Sequence, residues 1–159
     1  MLSAMKQLVN IAHARNNKKL YKKIQEDKVC PFCVDFSKKR TSFQYHTKPA
    51  IVHGTHWVVT ENLDPYKGTT HHFMFVHRKH IESFSQLKPK ALTELVSIIK
   101  KLEKKFSLPA GVFLLRFGDT NYTGGSVTHL HAHFVLGVKK TKKNNDPLLL
   151  FAGYKKAGK

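Results

Sequence analysis

Thr128-His129-Leu130-His131-Ala132-His133-Phe134-Val135-Leu136 alternates imidazoles with apolar side chains over the length of a strand. In a β-strand alternate residues share a face, so His129, His131 and His133 stand on one side at about 6.6–7 Å spacing. Leu130, Ala132 and Phe134 then face the other way, into a core. Three imidazoles in register are costly to bury without partners, so the row points to a site rather than to packing. Two chemistries use such a row. Alternate histidines hold one metal in some hydrolytic zinc sites, but those sites usually recruit carboxylates, and Asp119 is the only acid nearby. In the other chemistry the central imidazole attacks phosphorus while its neighbours orient it and neutralise phosphate charge. Gly124-Gly125-Ser126, just before the strand, supports the second, because glycines let backbone N–H groups approach an anion and Ser126 adds a hydroxyl.

Working outward, residues 111–117 read as a strand, 118–125 as a glycine-rich turn and 126–138 as the strand that carries the histidines. Pro89, at a first-turn position, precedes Leu92, Leu95, Ile98 or Ile99, Leu102 and Phe106. That spacing predicts a long amphipathic helix ending before Pro109. Residues 50–60 and 70–77 read as strands on either side of a turn at 63–68. Residues 3–28 read as one or two helices, with Leu2, Met5, Leu8 or Val9 and Ala12 at helical spacing and Leu20 and Ile24 repeating it after Asn16-Asn17.

Two further clusters carry chemistry. Cys30 and Cys33 form a Cys-x-x-Cys with no thioredoxin-like strand-helix context. They read as a redox pair, as two unrelated thiols or, the favoured reading, as half of a zinc site that takes two more ligands from the eleven histidines. His71, His72, His77 and His80 fall within ten residues, a density that places some of them at the same site as the other clusters.

Composition bounds the rest. At 159 residues and 41% hydrophobic content with eleven Phe, the chain suits one domain with a packed core rather than disorder. Its longest apolar candidate, Leu148 to Gly153, falls far short of the roughly 20 residues of a membrane span. Two cysteines and no secretory pattern at the N-terminus predict a cytoplasmic protein. The net charge is +18. Residues 1–40 hold ten Lys and Arg against three acidic residues, 41–135 eleven against six, and 136–159 seven against one. The excess is densest at the two ends, which would attract nucleic acid or another polyanion.

Taken with their order along the chain, these residues resemble the histidine triad (HIT) family. His129-Leu130-His131-Ala132-His133 matches its signature, His72 to Ile81 resembles its strand ending in Pro-Lys-x-His-Ile, and Cys30-Pro31-Phe32-Cys33 resembles the cysteine pair of its zinc-containing members. The helix from Pro89 and the strand into Gly-Gly-Ser126 follow in the family's order. The resemblance covers about residues 28–138 and implies a HIT-like domain over 29–138. A basic helical extension (1–28) and a basic tail (139–159) flank it.

It implies an α+β fold, an antiparallel sheet with a long helix packed across it, and commonly a homodimer. It also implies cleavage or transfer of a nucleoside monophosphate from a purine nucleotide conjugate, through a covalent nucleotidyl-histidine. By position His131 would be the nucleophile, His133 would hydrogen-bond the phosphate, His72 would complete the histidine lining, and Ser126 would contact phosphate or leaving group. Gly124 and Gly125 would approach the substrate. Cys30, Cys33, His80 and His129 would hold a structural zinc, with no catalytic metal. Gly118 stands where the family often has Asn, leaving Asn121 as the nearby amide, and His77 stands where proline is usual. Two other outcomes are a hydrolase of 5′-adenylylated nucleic acid held by the basic ends, and a noncatalytic nucleotide- or RNA-binding module.

Overall fold

The computed structural model describes residues 7–157. The part of the N-terminal helical expectation on residues 1–6 lies outside the described residues. Four helices, α1 (Lys18–Glu26), α2 (Pro31–Phe36), α3 (Pro89–Phe106) and α4 (Thr120–Thr123), accompany five strands, β1 (Ala50–His53), β2 (Trp57–Glu61), β3 (His71–His77), β4 (Val112–Arg116) and β5 (His131–Leu136). The strands form one antiparallel sheet in the order β1-β2-β3-β5-β4, so the fold is α+β as expected.

Period-two alternation assigns the two sheet faces to two cores. Trp57, Val59, Phe73, Phe75, Leu130, Ala132 and Phe134 meet Ala91, Leu95, Ile98 and Leu102 of α3. Pro89 supplies the preset φ of the first helical turn, and the helix closes at Ser107, left-handed at φ 49°, whose N–H donates to the Glu103 carbonyl. Trp57 Nε1–H donates to Ala91 O at 2.8 Å and ties β2 to that helix. On the opposite face Val58, Met74 and Val76 meet Phe32 and Phe36 of α2, Ile24 of α1, and Val9. Residues 8–24 therefore pack against the sheet's second face.

Four expected elements differ in extent. Of residues 3–28, α1 is the α-helical part among the described residues; residues 11–13 form a single 3-10 turn, and Val9 bridges to Val127 rather than lying on a helical stripe. Residues 50–60 are a hairpin, not one strand. Gly54 N–H donates to Trp57 O at 2.8 Å, and the Glu94 carboxylate accepts Thr55 N–H at 2.5 Å and His56 N–H at 2.6 Å, leaving no room for a Cβ at Gly54. The turn at 118–125 contains α4, capped by the Asp119 side chain and closed by Gly124 at φ 64°. The expected strand 126–138 is regular only over 131–136. Before it, Val127 bridges to Val9, Thr128 N–H donates to Leu8 O and Asn10 N–H to Ser126 O, both at 2.9 Å. His129 thus lies outside the strand, and period two does not govern its direction. Among the described residues no helix is long and apolar enough to cross a membrane.

Candidate functional site

The bend before β5 separates the triad into two jobs. His129 turns to the loop before α2, where Cys30 and Cys33 flank the helix start, and to His80 after β3. The Nδ1 atoms of His80 and His129 lie 3.1 Å apart; Cys30 Sγ is 3.4 Å and Cys33 Sγ 3.6 Å from His129 Nδ1, and Cys33 Sγ is 3.2 Å from His80 Nδ1. All four ligand atoms lie within 4.8 Å of one another. Tetrahedral zinc, about 2.3 Å from sulfur and about 2.0 Å from nitrogen, spaces its ligands by about 3.3–3.8 Å, so the cluster fits that ion. The second nitrogens are engaged as metal-bound imidazoles require: His129 Nε2–H donates to His77 O at 2.6 Å and His80 Nε2–H to Glu82 Oε1 at 2.7 Å. The Cys33 pKa is lowered, first by a hydrogen bond from the Cys30 thiol, while Cys30 is pushed up.

His131 and His133 remain in the strand and border the cavity. His131 Nδ1–H donates to the His129 carbonyl at 2.7 Å, which leaves Nε2 with its lone pair. Burial, the largest influence, holds its pKa down to about 4, so the imidazole is neutral at pH 7. A relay orients the next ring. Tyr66 N–H donates to His72 Nδ1 at 3.1 Å, and His72 Nε2–H donates to His133 Nδ1 at 2.9 Å, so His133 carries its proton on Nε2. These tautomers follow from the hydrogen bonds. The Tyr66 ring stacks on His72 at 4.9 Å and nearly parallel, fixing that ring in turn.

Both imidazoles border a cavity of about 360 Å³. Its lining includes Gly124, Gly125, Ser126 and Arg116 together with the apolar side chains of Leu20, Ile24, Phe32, Phe36 and Met74. Of the expected residues, His131, His133, Ser126, Gly124 and Gly125 line it. His72 lies behind His133 and borders a separate recess of about 140 Å³. Ser126 is already engaged, its hydroxyl donating to Tyr21 Oη at 2.9 Å. Asn121 is absent from the cavity wall. It is exposed on α4, and its side-chain oxygen accepts from Asn10 Nδ2 at 3.3 Å.

Several cavity residues were not anticipated. Arg15 lies 4.6 Å over the Tyr66 ring and pairs with Asp64 at 3.2 Å. Arg116, Phe151 and Tyr154 also line the cavity, the last two from the C-terminal tail. Only Arg116 carried a signal, as a cation inside an otherwise apolar strand two residues before the Gly118 position. Nothing local to Arg15, Phe151 or Tyr154 marks them.

The chain belongs to the HIT family, whose domain model matches residues 46–140. Among solved structures it is similar to a HIT-like protein, 20% identical over 59% of this chain and 89% of that one at a TM-score of 0.49. A histidine triad protein from Clostridium difficile is 21% identical over 61% of this chain and 84% of that one at 0.47. A Zn-bound histidine triad family protein from Mycobacterium smegmatis is 13% identical over 69% and 76% at 0.48. Comparison with curated proteins gives no match.

Proposed function

We propose that the protein is a nucleotide hydrolase or nucleotidyltransferase that cleaves a purine nucleoside monophosphate conjugate through a covalent nucleotidyl-His131. The observation that carries this reading is the His131 ring itself: neutral, tied through Nδ1–H to the His129 carbonyl, and bordering a cavity beside Gly124-Gly125-Ser126. In the reaction the Nε2 lone pair attacks the α-phosphorus, a P–N bond forms, and the bond to the leaving group breaks with its electron pair. The imidazolium charge that develops is stabilised by the existing Nδ1–H donation to His129 O. Water then attacks the same phosphorus, its released proton balancing the one taken up by the departed leaving group, the P–N bond breaks, and nucleoside monophosphate and neutral His131 result; another acceptor in place of water gives transfer. His133 Nε2–H donates to a phosphate oxygen, with His72 holding His133 in that tautomer. Ser126 reaches phosphate or leaving group once its proton leaves Tyr21 Oη. The apolar lining of the cavity takes the base.

Cys30, Cys33, His80 and His129 hold a zinc ion in this reading. When bound, the ion braces the backbone whose carbonyl orients His131. Residues 29–138 form the HIT-like unit, and the two flanking segments complete the cavity wall.

Intact-mass spectrometry after rapid quenching with adenosine phosphoramidate and with dinucleoside polyphosphates tests the proposal. Wild type is expected to gain one nucleoside monophosphate, and His131→Ala to gain none while keeping its circular dichroism spectrum. Turnover retained in His131→Ala would end the nucleophile assignment. Salt-sensitive RNA binding without any adduct or released nucleotide would favour the binding module.

A further inference from the structure

Arg116 stands apart from every other cation at the cavity. Its residue is only 6% exposed, yet its guanidinium donates solely to neutral oxygens: Thr123 O, Phe151 O and, at 3.0 Å, Tyr66 Oη. Arg15, on the same cavity, has the Asp64 carboxylate. Among the described residues no carboxylate forms an ion pair with Arg116. A buried cation without a counter-charge is costly, and an anion entering beside it recovers that cost.

Its position selects the anion. Arg116 is the register partner of His131 across β4 and β5. A Cβ on Gly125 would lie 3.6 Å from Arg116 Cδ and 3.8 Å from His131 Cε1, so the two side chains flank one glycine of the phosphate-facing turn. The α-phosphate already has His133 and Ser126 as donors in the reading above. A further fork of N–H donors alongside them suits a second phosphate.

One partner of the guanidinium is a carbonyl of the tail. Phe151 belongs to a tail segment without regular structure, is 43% exposed, and presents only its main-chain oxygen to Arg116. We propose that Arg116 is a specificity-determining residue that binds a phosphate on the leaving side of the substrate, displacing the Phe151 carbonyl, and so selects conjugates with a phosphoanhydride over those with a neutral leaving group. This inference rests on the nucleotide reading of the cavity.

Isothermal titration of the full chain with adenosine, AMP and adenosine 5′-(α,β-methylene)diphosphate, whose bridging carbon prevents cleavage, tests it. Wild type is expected to bind the diphosphate analogue at least about tenfold more tightly than AMP. Arg116→Met should erase that gap and leave AMP within about twofold of wild type. Arg116→Gln, which keeps hydrogen-bonding capacity toward Tyr66 while dropping the charge, should do the same if the methionine variant does not fold. Equal affinity of wild type for the two nucleotides overturns the proposal. So does a gap that survives the substitutions, or an equal loss for AMP, which would put Arg116 at the α-phosphate. Each of those outcomes leaves the nucleotide reading standing, whereas failure of wild type to bind any of the three ligands removes that reading and the proposal together.

Discussion

His46 shows how burial of single imidazoles sets the chemistry of this protein. Its ring packs 5.4 Å from Phe36 and 6.1 Å from Phe43, and its Nε2–H donates to Thr60 Oγ1 at 2.8 Å. Burial is the main cause of its pKa falling to about 4, and His72 is lowered to about 4 for the same first reason. Unfolded imidazoles protonate near 6.5, so between pH 6.5 and about 4 the unfolded chain binds protons that the folded chain refuses. Stability is therefore complete above pH 6.5 and lost as pH falls toward 4, at up to about 1.4 kcal/mol per pH unit for His46. Urea unfolding at pH 7, 6 and 5 is expected to show that decline, and His46→Gln should flatten it by about one proton. An unchanged slope in the variant would show that His46 is protonated alike in both states. Residue types were legible in the sequence where the chemistry was periodic, as with His131 and His133. They were not where a side chain's meaning came from what met it: Arg116 became a cavity cation only through β4–β5 register, and Asn121 was drawn to Asn10 instead of the cavity.

Elements divide by whether their signal was local. Helix α3 runs from Pro89 to Phe106, as its apolar spacing predicts, because every fourth or third residue meets the sheet. Helix α1 is equally amphipathic by pattern, yet nothing in that pattern says what its apolar stripe meets. In the fold Ile24 is 2% exposed in the second core, beside Phe32 and Phe36. Ile24→Ala should then cost about 2–4 kcal/mol by urea unfolding, through lost transfer energy and a residual cavity. A change below about 0.5 kcal/mol would mean that α1 does not pack on the domain in solution. The shortened β5 follows the same logic. Residues 126–128 pair with the N-terminal segment, a partnership more than a hundred positions away that no window of local sequence contains.

At the scale of the molecule the Cys/His cluster joins three distant segments: the start of α2, the chain after β3 and the approach to β5. A zinc ion there would hold these segments in one geometry and contribute directly to folding stability. Cys33→Ser should lower bound zinc, measured by atomic emission after purification without chelator, and reduce the melting temperature by at least about 5 °C. Full zinc content in that variant, or none in wild type, would remove the site. Residues 13 and 154, from the two flanking segments, also meet at the cavity. Tyr154 Oη and His13 Nε2 lie 2.5 Å apart, and His13 Nδ1–H donates to Gly125 O at 2.8 Å. Segments read in the sequence as flanking extensions to the domain thus line the pocket.

The sequence by itself determined the sheet-and-helix class, the alternation that sends Leu130, Ala132 and Phe134 to one core, and the histidine and cysteine residues from which the proposed site is drawn. Those properties depend on periodicity and on side-chain type, which are local. Only the tertiary structure shows that a bend takes His129 out of the strand while His131 borders the cavity, that Arg116 is buried beside it with no carboxylate partner among the described residues, and that residues 12–24 and 151–154 line the pocket. Each of these depends on pairing between distant segments, where desolvation and hydrogen-bond geometry are set by the partner and not by the neighbouring sequence.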